Sequence, residues 1–175
     1  MSITLATMSS EYVGLAWKFH VSPVSCDNHE YYEQYLRLCA LADRKSGTAL
    51  THILVDDGAQ RIVGYISLRA TSLVGDGAAD KKTVHPALEI AELAVDEDYE
   101  RNGYGSDLVN IALDYALEMR SKYMGIKYVM LCADPKAVGF YEKLYFGKVG
   151  DLYEALHDGW NDHCEPMYIQ LPELG

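Results

Sequence analysis

"LEIAELAVDEDYERNGYGSDLVNIALDYA", residues 88–116, changes its apolar rhythm halfway along. Up to Val95 the residues are small or branched on both alternating sets, the pattern of a strand buried on both faces. From Gly105 onward, Leu108, Ile111, Ala112, Tyr115, Ala116 and Met119 recur at helical spacing, while Asp107, Asn110, Asp114 and Glu118 fall on the other side. Gly103 and Gly105 sit at the junction. A helix begins with about four backbone N–H groups that lack a partner inside it, and its dipole adds roughly half a positive charge there. Two glycines at that point leave the main chain open to an anion such as a diphosphate, with no lysine needed. They also suit a tight turn with no ligand, and alone they do not decide between the two.

The rest of the chain arranges itself around this unit. "HEYYEQYLRLCALADRKSG" (29–47) spaces Tyr32, Tyr35, Leu36, Cys39 and Ala40 as a helix, with Gly47 as its stop. Residues 49–73 read as a hairpin about "DDGAQ", and "VGDGAADKKTVHP" (74–86) as an exposed loop. A strand over 126–134, a helix over 135–146 opened by Pro135, and a closing strand over 165–172 follow. "ITLATM" (3–8) reads as a first strand. The order predicts one α/β domain of mixed sheet over residues 1–175.

Composition narrows the function. The chain has 175 residues, 26 acidic against 15 basic, and a net charge of -11. Such a charge repels nucleic acid and anionic lipid at long range, which disfavours a general nucleic-acid binder but leaves a local site free to behave differently. No apolar run reaches the roughly 18 residues of a membrane span, and "MSITLATMSS" lacks the basic flank and apolar core of a signal peptide, so the cytoplasm is the expected compartment. Cys26, Cys39, Cys132 and Cys164 form no C-x-x-C pair and are expected as reduced thiols. The chain carries no G-x-x-x-x-G-K-[ST], complete G-x-G-x-x-G, G-x-S-x-G or H-E-x-x-H, which removes support for ordinary nucleotide hydrolysis, dinucleotide binding and hydrolase chemistry.

Residues 88–116 together with "YVMLCADPKAVGFYEKLYF" (128–146) resemble the GNAT superfamily of acyl-CoA-dependent N-acyltransferases. Its Q/R-x-x-G-x-G/A signature is matched by "ERNGYG", with Glu100 at the Gln/Arg position. Its second signature, N-x-x-A-x-x-F-Y-x-K-x-G-F, is matched by "DPKAVGFYEKLYF", with Asp134 for Asn and Tyr145 for Gly. The resemblance implies a mixed, mostly antiparallel sheet of six to seven strands flanked by about four helices. It implies a V-shaped splay between the fourth and fifth strands after residue 95. The cosubstrate it implies is acetyl-CoA, with no metal. Its pyrophosphate would lie on the amides of Arg101, Asn102, Gly103, Tyr104, Gly105 and Ser106, and its pantetheine against Leu93, Ala94 and Val95. Asp134, Ala137 and Phe140 complete the coenzyme-binding residues. Dimers are frequent in the family.

Acyl transfer to an amine sets two proton problems. An amine of pKa near 10.4 is neutral in about one molecule in 2,500 at pH 7, a penalty of about 4.6 kcal/mol. By the family pattern Glu89 supplies the base, acting through water; read without the family it is a glutamate satisfied by a neighbouring Lys, Arg or backbone group. Glu92, three residues on, points to the opposite sheet face and reads as structural or rim-facing. Tyr141 of the second signature is expected beside the thioester sulfur as proton donor to the departing thiolate; without the motif it reads as a core aromatic.

The acceptor side follows the family as well. Tyr31, Tyr32 and Tyr35, with Tyr153, Asp158, Trp160 and Asp162, fall where the resemblance places acceptor walls, and acidic and aromatic linings suit a cationic amine. His157, Asp162, His163 and Cys164 repeat no known metal-ligand spacing. The leading expectation is an acetyltransferase acting on a primary amine of a small molecule or protein. The N-terminal stretch also looks like a GNAT branch that includes toxins acetylating aminoacyl-tRNA, and a third reading is a module that binds CoA without catalysis.

Overall fold

A computed structural model describes residues 2–76, 82–150, 153–155 and 164–173. The chain opens with β1 (Ile3–Thr7), a 3-10 turn at Ser10–Tyr12 and the short helix α1 (Val13–Ala16). The helical spacing of residues 29–47 yields α2 (His29–Gln34), a π-helical turn over Tyr35–Cys39, and α3 (Ala40–Ser46). Gly47, at φ 75°, ends α3 in the left-handed region where a Cβ would be strained. The hairpin is formed by β2 (Leu50–Asp56) and β3 (Arg61–Asp76), followed by β4 (Lys82–Val95), a 3-10 turn at Glu97–Tyr99 and α4 (Tyr104–Lys122). Then come β5 (Tyr128–Ala133), a 3-10 turn at Pro135–Ala137, α5 (Val138–Lys143), β6 (Gly147–Lys148), β7 (Tyr153–Ala155) and β8 (Glu165–Gln170).

The strand order is β1-β2-β3-β4-β5-β8-β6, with β7 pairing β3 beside that path. The pairs β1–β2, β2–β3, β3–β7, β5–β8 and β6–β8 are antiparallel, whereas β4–β5 is parallel. This is the mixed sheet expected from the sequence. Two local expectations need correction. Residues 74–76 and 82–86, read as loop, are strand, and at Val74 and Gly75 β7 supplies partners that no local pattern announces. The helix expected over 135–146 is a 3-10 turn and a short helix that stops at Lys143.

The residues cluster into two compact units, and β3, β4 and α4 each run from one into the other. The first unit comprises Met1–Arg69 and Ala91–Ala112. Its core gathers Met8, Phe19, Leu36, Ile53, Ile62 and Tyr65, each at most 1% exposed. Burying such a side chain contributes about 1.5–3 kcal/mol. Arg37 fastens the α1 region to the helices behind it, donating to the carbonyls of Ala16 and Phe19 and pairing with Glu33 at 2.9 Å. The stripe expected on α4 holds: Leu108, Ala112 and Ala116 are buried, and Asp107, Asn110, Asp114 and Glu118 are exposed.

The second unit comprises Ala70–Ile90 and Leu113–Gly175. Leu73, Ala87, Tyr128 and Met130 form its core with Tyr168, whose ring meets Tyr128 edge-on at 5.5 Å. The expectation of four reduced thiols is overturned here. Cys132 of β5 and Cys164 just before β8 form a disulfide with Cα atoms 5.5 Å apart, while Cys26 is buried and Cys39 exposed. The two bonded cysteines are 32 residues apart in sequence, and only the β5–β8 pairing makes them neighbours. Among the described residues no helix is long and apolar enough to cross a membrane.

Candidate functional site

In the first unit, the chain leaves β4 through a tightly specified turn. Asp96 is fully buried; its carboxylate accepts from the N–H groups of Asp98 and His20 and receives Arg61 Nη2 at 2.8 and 3.0 Å. Tyr99 closes the turn. Arg101 then takes φ 61° and Gly103 φ 91°, so two left-handed residues alternate with ordinary ones. Such alternation turns successive N–H groups toward one side and makes a concave anion site. Asn102 braces it by donating its side-chain amide to the carbonyls of Tyr99 and Glu100, both at 3.1 Å.

The first helical bond of α4 runs from Asp107 N–H to Gly103 O, which leaves the N–H groups of Tyr104, Gly105 and Ser106 ahead of it. A Cβ on Gly103 would meet no protein atom within 4 Å. The glycine there answers a demand on φ, and the space before it is open. Arg101, Asn102 and Gly103 are exposed, and Tyr104, Gly105 and Ser106 half-buried. Of the six expected pyrophosphate residues, Arg101, Asn102 and Gly103 lie in the turn and Tyr104, Gly105 and Ser106 in the first turn of α4. Glu100, the departure from the family signature, has its carboxylate engaged by the Ser25 hydroxyl at 2.8 Å.

β4 pairs with β5 from Ala87↔Tyr128 to Ile90↔Leu131, and the register ends there, five positions before Val95. β5 continues through Cys132 and Ala133, paired with β8 at Pro166 and Glu165, so the parallel ladder ends while both strands still run on. Leu93, Ala94 and Val95 lie past its end, with Ala94 buried and the other two half-buried.

In the second unit, Asp134 caps the turn that opens the second signature, accepting from Lys136 N–H at 3.0 Å. An aspartate caps as well as the family's asparagine, and Pro135 suits the first position of the turn. Ala137 and Phe140 are half-buried. Tyr141 is 6% exposed on α5, its ring edge-on to Phe140 at 4.9 Å and to Phe146 at 5.8 Å. Glu89 is 2% exposed on β4, opposite Met130 in the register.

The acceptor-side tyrosines divide. Tyr35 is a core residue: it stacks on Tyr65 at 6.1 Å, and its hydroxyl is bonded to Asp43 and Ser67. Burial pushes its phenol up to about 12. Tyr31 is half-exposed and edge-on to Tyr32 at 5.4 Å. It donates to Glu92 Oε1 at 2.6 Å, and burial together with that carboxylate raises its pKa. Sequence reasoning left Glu92 structural or rim-facing; no local signal pairs residues 61 positions apart. Asp158, Trp160 and Asp162, and with them His157 and His163, lie outside the described residues, as does the side chain of Tyr153. Among the described residues no group of three or more His, Cys, Asp or Glu is placed to hold a metal ion, and Cys164 is in the disulfide.

Comparison with known proteins gives a consistent picture. A solved structure described as a bacterial toxin matches at 19% identity and TM-score 0.75, covering 97% of this chain and 90% of that one. The AtaT toxin complexed with acetyl-methionyl-tRNAfMet matches at 16% identity and TM-score 0.74, covering 97% and 95%. A tyrosine-to-phenylalanine variant of AtaT, bound to the C-terminus of the antitoxin AtaR and acetyl-CoA, matches at 16% identity and TM-score 0.71, covering 97% and 94%. These likenesses establish the fold. No curated protein matches the sequence. The model of the acetyltransferase (GNAT) family matches residues 13–146, which span both signatures, and the chain belongs to that family.

Proposed function

We propose that this chain, working as one domain, moves an acetyl group from acetyl-CoA to a primary amine of a small molecule or protein by direct attack on the thioester. The observation that carries the reading is the turn at Arg101–Ser106, where left-handed Arg101 and Gly103 lead into the N-terminus of a 19-residue helix. That arrangement offers main-chain N–H groups to a diphosphate and needs no cationic side chain.

Glu89 takes a proton from the ammonium through water, which suits a carboxylate only 2% exposed. The neutral nitrogen forms its bond to the acyl carbon as the carbon–sulfur bond breaks, and Tyr141 donates its phenolic proton to the departing thiolate. Phenol and thiol ordinarily differ by about 1.5 pKa units, so that transfer costs about 2 kcal/mol unless the proton released by the amine is returned to the phenolate. A coupled relay is therefore part of the reading.

The test is a panel of primary amines with acetyl-CoA, following free CoA thiol. Turnover on at least one amine, lost in Tyr141→Phe, is the expected result. Acetyl-CoA binding without turnover on any amine would favour the non-catalytic module, and no uptake of acetyl-CoA would sink the reading. A second reading, acetylation of aminoacyl-tRNA, is favoured by the likeness to AtaT over nearly the whole chain. The net charge of -11 weighs against it. Activity on charged tRNA that falls steeply with salt would select it.

A further inference from the structure

We infer that Tyr99, which neither family signature includes, is the positioning residue that holds the Arg101–Ser106 turn in its coenzyme-binding shape, with Asp56 as its anchor. The inference rests on the reading of that turn as a diphosphate site. Tyr99 is 7% exposed and ends the 3-10 turn two residues ahead of Arg101. Each of its parts is engaged. Its hydroxyl donates to Asp56 Oδ2 at 3.1 Å, its N–H donates to the Asp96 carbonyl at 2.8 Å, and its own carbonyl accepts from Asn102 at 3.1 Å. Its ring lies 5.7 Å from the Arg61 guanidinium carbon and 6.2 Å, edge-on, from the ring of Tyr104.

These contacts reach both ends of the turn. Asn102 lies within it and Tyr104 begins α4, so one side chain and its backbone grip the entry and the exit together. The far end of the grip is fixed. Asp56 is 3% exposed at the end of β2, and its other oxygen accepts from the N–H groups of Gly58 and Ala59 in the hairpin turn. Arg61, at the start of β3, is held by Asp96 and Asp98. The pKa shifts agree with this order. Hydrogen bonds from Ala59, Tyr99 and Gly58 hold the Asp56 carboxyl below its usual range, and burial with the bond to Asp56 raises the Tyr99 phenol.

The arrangement answers a physical need. Arg101 carries a Cβ in the left-handed region at a cost of about 1–2 kcal/mol, and such a conformation persists only where its surroundings over-determine it. Without a brace the turn would relax and its N–H groups would no longer point together. A diphosphate would then have to order the turn as it binds.

Tyr99→Phe removes the hydroxyl and keeps the ring, so the core packing survives. CoA binding by calorimetry and backbone hydrogen exchange, compared with the unaltered protein, read the effect. The expected result is a CoA Kd about tenfold weaker, the loss of roughly one hydrogen bond's worth of order, together with faster exchange at residues 100–106 and unchanged exchange in β8. Asp56→Asn, which retains an acceptor oxygen, should weaken binding less. A Kd within twofold of the original with unchanged exchange overturns the inference. Faster exchange of the turn with an unchanged Kd would show that Tyr99 braces a turn that does not hold CoA, which overturns the diphosphate reading itself.

Discussion

Ser25 donates its hydroxyl to the Glu100 carboxylate at 2.8 Å, joining the segment between α1 and α2 to the residue that opens the candidate diphosphate turn. An acidic side chain at the mouth of an anion site opposes the charge it is meant to receive. Glu100→Gln is therefore expected to tighten CoA binding by about 1 kcal/mol, near fivefold, at low salt, with the gain shrinking as salt is added. Titration calorimetry at two ionic strengths checks both parts. Ser25→Ala should act in the opposite direction by releasing the carboxylate.

Tyr141→Phe removes the phenolic oxygen and leaves the edge-on contacts with Phe140 and Phe146 in place. A loss of general-acid catalysis lowers kcat by about 10²–10⁴. KM for acetyl-CoA and the unfolding midpoint should barely change. A variant with full kcat would remove Tyr141 from the mechanism.

Tyr145 stands where the family signature has glycine, at φ 68° and 87% exposed, just past the end of α5. Its ring gains little from burial, and its backbone is strained. Tyr145→Gly is expected to stabilise the protein by about 0.5–1 kcal/mol once the extra entropy of glycine in the unfolded chain is subtracted. Urea denaturation measures this, and a destabilised variant would point to a role for the exposed ring.

The Cys132–Cys164 disulfide closes a long loop across β5 and β8. For a separation of 32 residues the chain-entropy account gives about 3–4 kcal/mol as an upper figure. Reduction by dithiothreitol, or Cys132→Ser, should lower the unfolding free energy by up to that amount. Thiol titration under denaturing conditions should count two reactive groups before reduction and four after.

His52 is 8% exposed in β2, and desolvation lowers its pKa below the ordinary 6.5. As pH falls through 6.5 the unfolded chain takes up a proton that the folded chain refuses, so this residue makes stability fall with acidification, until the pH drops below the folded-state value. His52→Gln should show a shallower decline between pH 7 and pH 5. Parallel slopes for the two proteins would contradict the shift.

The local elements were legible because each carries its own period. The α4 stripe from Leu108 to Ala116, the α3 stop at Gly47 and the β2–β3 hairpin are set by neighbours a few residues apart, and the structure reproduces them. The two signatures were legible for a similar reason: a glycine that must take φ 91° and an aspartate that must cap a turn are local demands written as single residues. Those stretches identified the family before any tertiary contact was known.

Tertiary structure alone decided the rest, since it depends on which distant segments come together. The β3–β7 pairing at Val74 and Gly75, the β4–β5 ladder that stops at Ile90, and the disulfide between Cys132 and Cys164 each depend on segments with no shared local pattern. The same holds for Tyr31 with Glu92, Ser25 with Glu100, and Tyr99 with Asp56. A hydrogen bond between side chains dozens of residues apart exists only once the backbone has carried both into reach, and no periodicity encodes that closure.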